Sequence, residues 1–339
     1  MATIKHILVF RFSAMGDVAM SVPVLRALTT QYPDLKITVV TRGFFRPFFR
    51  DLKNVSVYEA DLKGKHKGIL GLLKLSRELK ALHFDAVADI HNVLRTKILK
   101  FFLGGKIIQI DKGRSEKKAL VSGQKFEQLK TTHQRYADVF KKLGFPIDLS
   151  NPGFPPKVKL TSKLNGFIGN PNVPTIGIAP FAAFKGKMYP LQQMKLVIEK
   201  LSSNYNIILF GGGKVEIEQL NQIASHYKNT VSVAGKLSLN EELDLISHID
   251  LMLSMDSGNA HIGAMLGKKV ITIWGVTHPF AGFAPFNQPN NFALIADQAE
   301  YPEIPTSIYG NKQPVGYENA AGSISVKTIV QKIESVIAF

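Results

Sequence analysis

Residues 6–28 read HILVFRFSAMGDVAMSVPVLRAL, and this stretch decides the fold. An apolar run is followed by a short turn and then by apolar residues at helical spacing, which predicts a strand, a turn and a helix. In nucleotide-binding folds, such a turn is rich in glycine and holds a phosphate at the start of the helix. Here the turn contains one glycine, Gly16, followed by the acidic Asp17. The stretch therefore predicts a Rossmann-like unit with a carboxylate in the usual place of a phosphate.

The alternation of strands and helices continues through both halves of the chain. Candidate strands are residues 6–12, 37–41, 55–59, 86–90 and 106–110, and then 175–179, 206–210, 231–233, 250–254 and 269–274. Candidate helices are residues 18–31, 68–82, 93–103, 124–143, 191–203, 215–227, 239–247, 259–266 and 326–337. Alternation of this kind predicts an α/β fold with two doubly wound parallel sheets, one in each of two tandem Rossmann-like domains.

A segment rich in proline and glycine, around residues 149–160, predicts a linker between the two domains. We therefore expect a first domain at residues 1–160 and a second at residues 161–325. A C-terminal helix at residues 326–339 is expected to pack back on the first domain. The carboxyl ends of the two sheets are expected to face a cleft, because ligands bind at that end of open α/β sheets.

Positive charge is concentrated in the first half. The formal net charge is +16; residues 1–163 hold 30 Lys/Arg against 13 Asp/Glu, and residues 164–339 hold 12 against 13. A basic half attracts polyanions such as nucleic acid, an anionic membrane surface or a phosphorylated substrate. An ordinary solvated surface is the alternative interpretation of the same charge.

Composition excludes several classes of protein. The chain has no cysteine, which excludes disulfides and thiolate metal sites. No apolar run approaches the roughly 20 residues that span a bilayer. The first apolar stretch is broken by Arg11 and is interpreted as a strand rather than a signal peptide, which makes the cytoplasm the expected location.

Residues 251–275, LMLSMDSGNAHIGAMLGKKVITIWG, predict a second strand, turn and helix. Ser257, Gly258 and Asn259 fall where the helix begins, so its free N–H groups and dipole favour an anion such as a diphosphate. The alternative is an ordinary N-cap in which Asp256 or Ser257 accepts those N–H bonds. His261, one turn into the helix, is either part of this site or a satisfied buried histidine.

Two further loops contribute candidate donor-binding residues. In LFGGGKVEIEQL (residues 209–220), Gly211 and Gly212 allow close approach of a ligand, and Glu216 or Glu218 is placed to accept from ribose hydroxyls. In APFAAFKGKMYP (residues 179–190), Lys185 or Lys187 is placed to neutralise a phosphate. A flexible turn and solvated loop lysines are the alternatives.

Several motifs of other enzyme classes are missing. The chain contains no Asp-x-Asp, so there is no obvious site for a metal-bound diphosphate. It also lacks G-x-x-x-x-G-K-[ST] and G-x-G-x-x-G, which weakens kinase and dinucleotide-dehydrogenase interpretations. Without a G-x-S-x-G elbow, nothing supports an α/β hydrolase.

The motifs together resemble those of glycosyltransferase family 9, the lipopolysaccharide heptosyltransferases. FSAMGDVAMSVPVLRAL resembles S-x-x-G-D-V-x-x-x-x-P-x-L-x-A-L, and DSGNAHIGAMLGKKVITIWGVTHP resembles D-[ST]-G-x-x-H-x-A-A-x-L-G-x-P-x-x-x-x-[FY]-G-x-T-x-P. KGKMYP is similar to the K-x-W-P loop, FDAVADIHNVLRTKIL to D-x-x-I-D-x-Q-G-x-x-[RK]-S, and HQRYADVFKKLG to the helix with H-x-x-[ED]-R. These matches run in order from residue 6 to about residue 285.

The resemblance implies a two-domain enzyme of the GT-B type that inverts the anomeric centre, with no metal and no cofactor. The first domain would take an anionic lipid A or Kdo-type acceptor at the membrane surface, and the second a nucleotide-diphospho-sugar such as ADP-heptose. Such an enzyme would be cytoplasmic and peripheral at the inner face of the inner membrane. No nucleic acid and no transmembrane segment are expected.

An inverting transfer needs a base for the acceptor hydroxyl and positive charge near the leaving diphosphate. We expect Asp17 to be the base and Lys187 to support the diphosphate, with the donor and acceptor contacts as follows. The donor is bound by Gly211, Gly212, Glu216, Asp256, Ser257, Gly258, Asn259 and His261, with Asp256 orienting the sugar hydroxyls. The acceptor is bound by Ser13, Met15, Gly16, His91, Arg95, Arg114 and Lys117.

Departures from the family pattern are Tyr189 in place of tryptophan, His91-Asn92 in place of Gln-Gly, Gly263 in place of alanine and Lys269 in place of proline. They bear on the acceptor and, to a lesser degree, on the sugar. One alternative function is a sugar-nucleotide epimerase or hydrolase of the same fold. A basic nucleic-acid-binding protein is a second alternative, suggested only by the charge.

Overall fold

The structure is a computed structural model that describes residues 4–338. Residues 1–3 and 339, at the outer ends of the expected first domain and last helix, lie outside the described residues. The strands are β1 (His6–Phe10), β2 (Lys36–Thr41), β3 (Val55–Glu59), β4 (Ala86–Asp89), β5 (Lys106–Gln109), β6 (Thr175–Ala179), β7 (Asn206–Leu209), β8 (Thr230–Ser232), β9 (Leu251–Met255), β10 (Lys269–Trp274) and β11 (Ala293–Ile295). The helices are α1 (Met15–Gln31), α2 (Gly68–Lys80), α3 (Leu94–Leu103), α4 (Arg114–Val121), α5 (Thr132–Leu143), α6 (Ser162–Asn165), α7 (Leu191–Ser202), α8 (Lys214–His226), α9 (Leu239–Ile246), α10 (Gly258–Met265) and α11 (Val326–Ile337).

The chain forms two compact units. The first contains the residues up to Lys112 together with Thr131–Gly153, and the second contains Gly113–Lys130 and the residues from Phe154 onward. Each unit is built on its own parallel sheet covered by helices. The α/β fold class predicted from the sequence, with two doubly wound sheets, is therefore confirmed.

The sheet of the first unit has the strand order β3-β2-β1-β4-β5. In the centre, β1 pairs with β2 through Ile7 opposite Ile37, and with β4 through Ile7 opposite Ala86. All five residues of β1 are buried, as expected for a central parallel strand covered on both faces. Helix α2 packs beside α3, and α1 packs beside α5. The chain winds in opposite directions from β1 and β4, so the switch point of the sheet lies between these two strands.

The sheet of the second unit has the order β11-β10-β9-β6-β7-β8, and all its pairs are parallel. Its switch point lies between β6 and β9. The three-residue strand β11 was not expected, because so short a run carries no readable alternation.

The C-terminal helix packs differently from expectation. Ile329, Ile333 and Val336 share one face of α11 and belong to the core of the second unit, where the helix lies beside α7. Helix α11 is therefore part of the second unit. The physical reason is that its single apolar face is already buried by this packing.

The middle of the chain also departs from the expected elements. The helix expected at residues 124–143 begins only at Thr132, because Thr131 caps the start of α5. The Thr131 side chain accepts from Gln134 N at 3.2 Å, and Gln134 Oε1 accepts from Thr131 N at 2.9 Å. This is a capping box, which fixes a helix start. Helix α4, just upstream, was missed.

The segment Gly113–Lys130 belongs to the second unit although the expected first domain ran to residue 160. Leu120 and Leu129 pack on Ala281, and Leu129 N donates to the Phe280 carbonyl at 2.9 Å. The last of the three changes of unit, after Gly153, falls inside the predicted linker. Over residues 4–338, no helix is long and apolar enough to cross a lipid bilayer.

Candidate active site

The predicted site residues lie mainly in the loops that follow the strands beside each switch point. In the first unit, Asp17 lies at the start of the helix after β1, and His91 follows β4. In the second unit, Lys187 lies in the loop after β6, and Asp256 directly follows β9. Parallel strands of one sheet end at the same edge, so each unit presents one polar cluster at the place where open α/β sheets bind ligands.

Asp17 is held in place by a buried arginine. Its carboxylate forms an ion pair with Arg11, a residue that is 6% exposed, while Asp17 keeps 29% of its side chain exposed. Ala14 N also donates to Asp17 Oδ2 at 3.3 Å, and the Tyr136 hydroxyl donates to the Asp17 carbonyl at 3.3 Å. The carboxylate is therefore anchored from inside the protein and open to solvent on its other side.

Arg11 connects this carboxylate to the neighbouring strand. Its Nη1 donates to the Ile90 carbonyl at 2.9 Å, just after β4, and its guanidinium carbon lies 5.9 Å from the centre of the Tyr136 ring. A guanidinium that is fixed by a hydrogen bond at the end of β4 sets the position of Asp17 more firmly than a surface ion pair does.

His91 is buried beside this pair. Burial, followed by the charges of Arg11 and Lys112, lowers the pKa of His91 to about 4. Its Nδ1 accepts from Phe12 N at 3.4 Å. The His91 ring is therefore neutral near pH 7, and it forms an uncharged part of the site instead of a cationic ligand for an anion.

The other candidate acceptor residues are spread over both units. Ser13, Met15 and Gly16 are half-buried around the start of α1, and Arg95 is exposed at the start of α3. Arg114 is exposed in α4, within the second unit. Lys117, which was expected to bind the acceptor, is only 9% exposed, and its Nζ lies 4.2 Å from the centre of the Phe283 ring. This packing, a cation over an aromatic face, explains why the lysine is buried.

In the second unit, Lys187 and Asp256 are brought together. Lys187 Nζ lies 2.8 Å from Asp256 Oδ2, with side-chain exposures of 15% and 7%. Thr277 Oγ1 donates to the same oxygen at 2.9 Å. Lys185, by contrast, is exposed. The geometry thus singles out Lys187 as the lysine fixed at the switch point.

The loop of Lys187 is seated on the strand end after β10. Val276 N donates to the Gly186 carbonyl at 2.9 Å. Gly275 allows this approach, because a Cβ there would lie 2.2 Å from the Gly186 oxygen. Residues 275–277 therefore support both members of the ion pair, one through the backbone and the other through Thr277.

The start of α10 is open to a ligand. The Ser257 hydroxyl bonds with the Ser254 hydroxyl at 3.0 Å rather than capping the helix, and the Asp256 carboxylate is engaged by Lys187 and Thr277. The ordinary N-cap considered above is therefore not what the structure has. Gly258 and Asn259 are half-buried in the first turn, and His261 is buried one turn further on. Free N–H groups next to a lysine are suited to an anion.

The glycine-rich loop after β7 is tied to Glu216. Gly212 N donates to Glu216 Oε2 at 2.8 Å, and a Cβ at Gly211 would lie 3.2 Å from the same oxygen. Glu218 is exposed. Of the two acids, Glu216 is the one that the structure places at the loop.

Tyr189, which replaces the tryptophan of the family pattern, is part of the core. It is 2% exposed, and its hydroxyl donates to the Ile324 carbonyl at 2.7 Å. Burial raises the pKa of Tyr189 to about 12. The ion pair of Lys187 with Asp256 is present with tyrosine at this position.

Sequence reasoning missed Arg11 and Thr277 as site residues. The signal for Arg11 was a charge directly after five buried residues of a central strand, a position that is costly unless the charge is paired. The signal for Thr277 was its place in IWGVTHP, three residues after β10 ends.

A cavity of about 840 Å³ adjoins the Lys187 loop. Two of its lining residues touch that loop's support: Gln313 lies against Gly186, and Thr306 N donates to the Val276 carbonyl at 3.0 Å. Its lining residues are Leu120, Val121, Ser122, Gly123, Phe126, Gln298, Pro302, Glu303, Ile304, Pro305, Thr306, Lys312, Gln313 and Pro314. Residues 4–338 form no group of three or more His, Cys, Asp or Glu that could hold a metal ion.

Comparison with known proteins gives consistent matches. The chain is 24% identical to the lipopolysaccharide core heptosyltransferase OpsX of Haemophilus influenzae, over 99% of this chain and 98% of that protein. A crystal structure of the glycosyl transferase family 9 from Veillonella parvula matches with a TM-score of 0.77 at 20% identity, covering 100% and 99% of the two chains. The E. coli heptosyltransferase WaaC with ADP matches with a TM-score of 0.72 at 20% identity, covering 98% and 99%. At such identities the two structures establish the shared fold.

A family model described as "Glycosyltransferase family 9 (heptosyltransferase)" matches residues 72–306, more than half of the chain. This range contains the Lys187 loop, the glycine-rich loop and the start of α10. The resemblance identified from the motifs is thereby confirmed. The chain belongs to glycosyltransferase family 9, and the protein is a glycosyltransferase.

Proposed function

We propose that this enzyme transfers heptose from ADP-heptose to the inner core of lipopolysaccharide, with inversion at C1 and without a metal ion. The names of the relative OpsX, a lipopolysaccharide core heptosyltransferase, and of WaaC with ADP support the choice of sugar, nucleotide and acceptor. The acceptor is an anionic, lipid-anchored saccharide of the lipid A and Kdo type. The reaction therefore takes place at the cytoplasmic face of the inner membrane.

The observation that carries the proposal is the anchored carboxylate of Asp17. An acceptor hydroxyl attacks C1 from the face opposite the diphosphate and forms the new C1–O bond. The bond from C1 to the β-phosphate oxygen breaks, and its electron pair leaves with ADP. Asp17 receives the hydroxyl proton, a role that requires a positioned base within hydrogen-bond reach of the hydroxyl. Arg11 fixes the carboxylate, which is what that positioning needs.

Residues of the second unit hold the donor and the leaving group. Lys187 and the first N–H groups of α10, at Ser257, Gly258 and Asn259, stabilise the charge that develops on the diphosphate. Asp256 positions Lys187 and accepts from hydroxyls of the sugar. Gly211, Gly212 and Glu216 contact the ribose of the donor. His261 lies behind the α10 turn and supports it.

The acceptor is bound by residues of different character. Arg95 and Arg114 are exposed cations and pair with its phosphates or carboxylates. Ser13, Met15 and Gly16 line its approach to Asp17, and neutral His91 forms a wall behind them. Lys117 acts through packing on Phe283, where it holds α4, and not as a direct ligand.

Replacing Asp17 tests the proposal. Asp17→Asn keeps the shape of the side chain and removes the base, so kcat with ADP-heptose and a lipid A-type acceptor is expected to fall roughly a hundredfold or more. The dissociation constant of ADP, measured by calorimetry, is expected to stay within about twofold because the donor contacts are on the second unit.

Asp34→Asn is the matched control, since Asp34 is an exposed aspartate of the first unit. Near-normal turnover of Asp17→Asn would remove Asp17 from the mechanism. Release of ADP at the full rate without acceptor would indicate hydrolysis or epimerisation instead of transfer. Loss of activity after metal chelation, restored by a divalent ion, would contradict metal independence.

A further inference from the structure

Helices α2 and α3 lie side by side over one face of the first sheet, and their outer surfaces are unusual. Below them, Leu75, Leu79 and Leu99 are fully buried in the core. On the outside, Leu70 is 81% exposed and Phe101 is 85% exposed. An amphipathic helix of a soluble protein normally presents polar residues on that side.

The outward face of α3 is an apolar stripe. Leu94 is 73% exposed, Ile98 is half-buried, and Phe101 follows one turn later. These positions, at i, i+4 and i+7, share one side of a helix. The opposite side carries Thr96, Leu99 and Leu103, all buried. Helix α3 is therefore apolar on two sides, only one of which the sheet covers.

Helix α2 contributes to the same outer layer. Leu70 is accompanied by Ile69, which is 63% exposed in the first turn. The two helices pack against each other, so their outer faces adjoin. We call Ile69, Leu70, Leu94 and Phe101 the apolar patch.

The charge around the apolar patch has one sign. Glu78 is the single acidic residue of the two helices, and it is occupied by Lys65 at 2.7 Å and His66 at 3.1 Å. Lys74, Arg77, Arg95 and Lys97 are exposed on the same helices with no acidic partner there. The patch is thus bordered by cations that nothing on these helices neutralises.

We propose that the outer face of α2 and α3 is the surface with which the enzyme lies on an anionic lipid bilayer. Exposed Leu and Phe side chains bordered by Lys and Arg are the combination that binds the interface of such a membrane, through apolar insertion and attraction to lipid phosphates. If a second copy of this chain bound through the same surface, the cations of the two copies would face each other and repel. A neutral apolar protein partner would leave the charges of Lys74, Arg77 and Lys97 unpaired.

The inference rests on the proposed function only in that a lipid-anchored acceptor gives membrane binding a use. The test therefore omits donor and acceptor. Protein is sedimented with vesicles of phosphatidylcholine alone and of phosphatidylcholine with phosphatidylglycerol, at low and high salt. Binding to the anionic vesicles is expected, weakening with salt, and little binding to the neutral ones.

Two variants separate the apolar and the charged contributions. Leu70→Ser with Phe101→Ser is expected to lower partitioning into anionic vesicles about tenfold, because the variant loses the apolar area that these side chains bury in the bilayer. Lys74→Glu with Lys97→Glu is expected to lower it by a similar factor and to weaken its salt dependence, since Arg77 and Arg95 remain. Leu196→Ser with Val315→Ser is the control, since both residues are exposed and apolar on the second unit.

Equal binding to neutral and anionic vesicles, no binding to either, or full binding by both test variants would each overturn the proposal. Concentration-dependent self-association that Leu70→Ser with Phe101→Ser abolishes would identify a second copy as the occupant instead. Activity of the test variants on a detergent-dispersed acceptor, measured in parallel, distinguishes a failure here from a failure of the proposed function.

Discussion

At the scale of single residues, Arg11 and Asp17 illustrate how the fold prepares the proposed chemistry. A buried guanidinium is costly unless it is paired, and here it is paired with the carboxylate and with the carbonyl of Ile90. This pair lies at the carboxyl end of the central strand β1, the edge of the sheet at which ligands bind in open α/β folds. Asp17 is thereby fixed without being buried.

Glu242 in α9 gives a prediction that depends on pH. Burial raises the pKa of this half-buried carboxyl to about 7, so the folded protein holds its proton at a pH where the unfolded chain has released it. The free energy of unfolding is then expected to fall as pH rises from about 4.5 to above 7. Glu242→Gln removes this effect and should raise stability by on the order of 2 kcal/mol at pH 8.5, after allowance for partial exposure.

Denaturant unfolding of the variant and the parent at pH 4.5 and 8.5 measures this difference. At pH 4.5 the two proteins should be nearly equally stable, because the folded parent carries the proton there and the unfolded chain is about half protonated, which leaves only a small difference. Glu199→Gln serves as control for a glutamate on an exposed helix position. A gain from Glu242→Gln of the same size at both pH values would show that the carboxyl is not the cause.

At the scale of elements, the Lys187 loop and the end of β10 make a close backbone contact in the candidate site. Gly275→Ala places a Cβ 2.2 Å from the Gly186 carbonyl oxygen, a backbone atom that cannot rotate away. The loop must move, and Lys187 with it. We expect ADP affinity to fall about tenfold and the free energy of unfolding to fall by about 1–3 kcal/mol.

Calorimetric titration with ADP and thermal melts measure both effects. Gly166→Ala is the matched control, because its new Cβ would come no closer than 3.4 Å to the nearest atom, the Lys163 carbonyl oxygen. Unchanged ADP affinity in Gly275→Ala would mean that the donor does not depend on the position of the Lys187 loop.

The sequence predicts the elements that have a strong period. Ten strands were expected where strands are found, because buried parallel strands appear as short apolar runs between glycine- or proline-containing turns. Strand β11 and helices α4 and α6 were missed. Strand β11 has three residues, α4 is short and rich in charge, and α6 has four residues. The site was predicted residue by residue from motifs, whereas the pairing of Lys187 with Asp256 required the switch-point geometry.

At the scale of the whole molecule, the position of a segment along the chain does not determine the unit in which it folds. The segment Gly113–Lys130 is encoded within the first half but is part of the second unit. No periodicity reveals this, because the assignment depends on which partner covers Leu120 and Leu129. The basic charge attributed to the first half is accordingly shared: Arg114 and Lys117 belong to the second unit, and the cations of α2 and α3 to the first.

Truncating Leu120 tests this membership. The side chain is 1% exposed and packs with Leu129 and Ala281, so Leu120→Ala should destabilise the second unit by about 2–4 kcal/mol through the cavity it leaves. Hydrogen exchange followed by mass spectrometry is expected to show faster exchange around residues 279–283. Leu75→Ala, a fully buried residue under α2, is the control and should speed exchange in β1 and β4 instead. If Leu120→Ala speeds exchange in β1 and β4 as Leu75→Ala does, the segment is coupled in solution to the first unit. Faster exchange confined to the second unit would support the assignment of residues 113–130 to the unit that holds the proposed donor site, although they lie in the first half of the sequence.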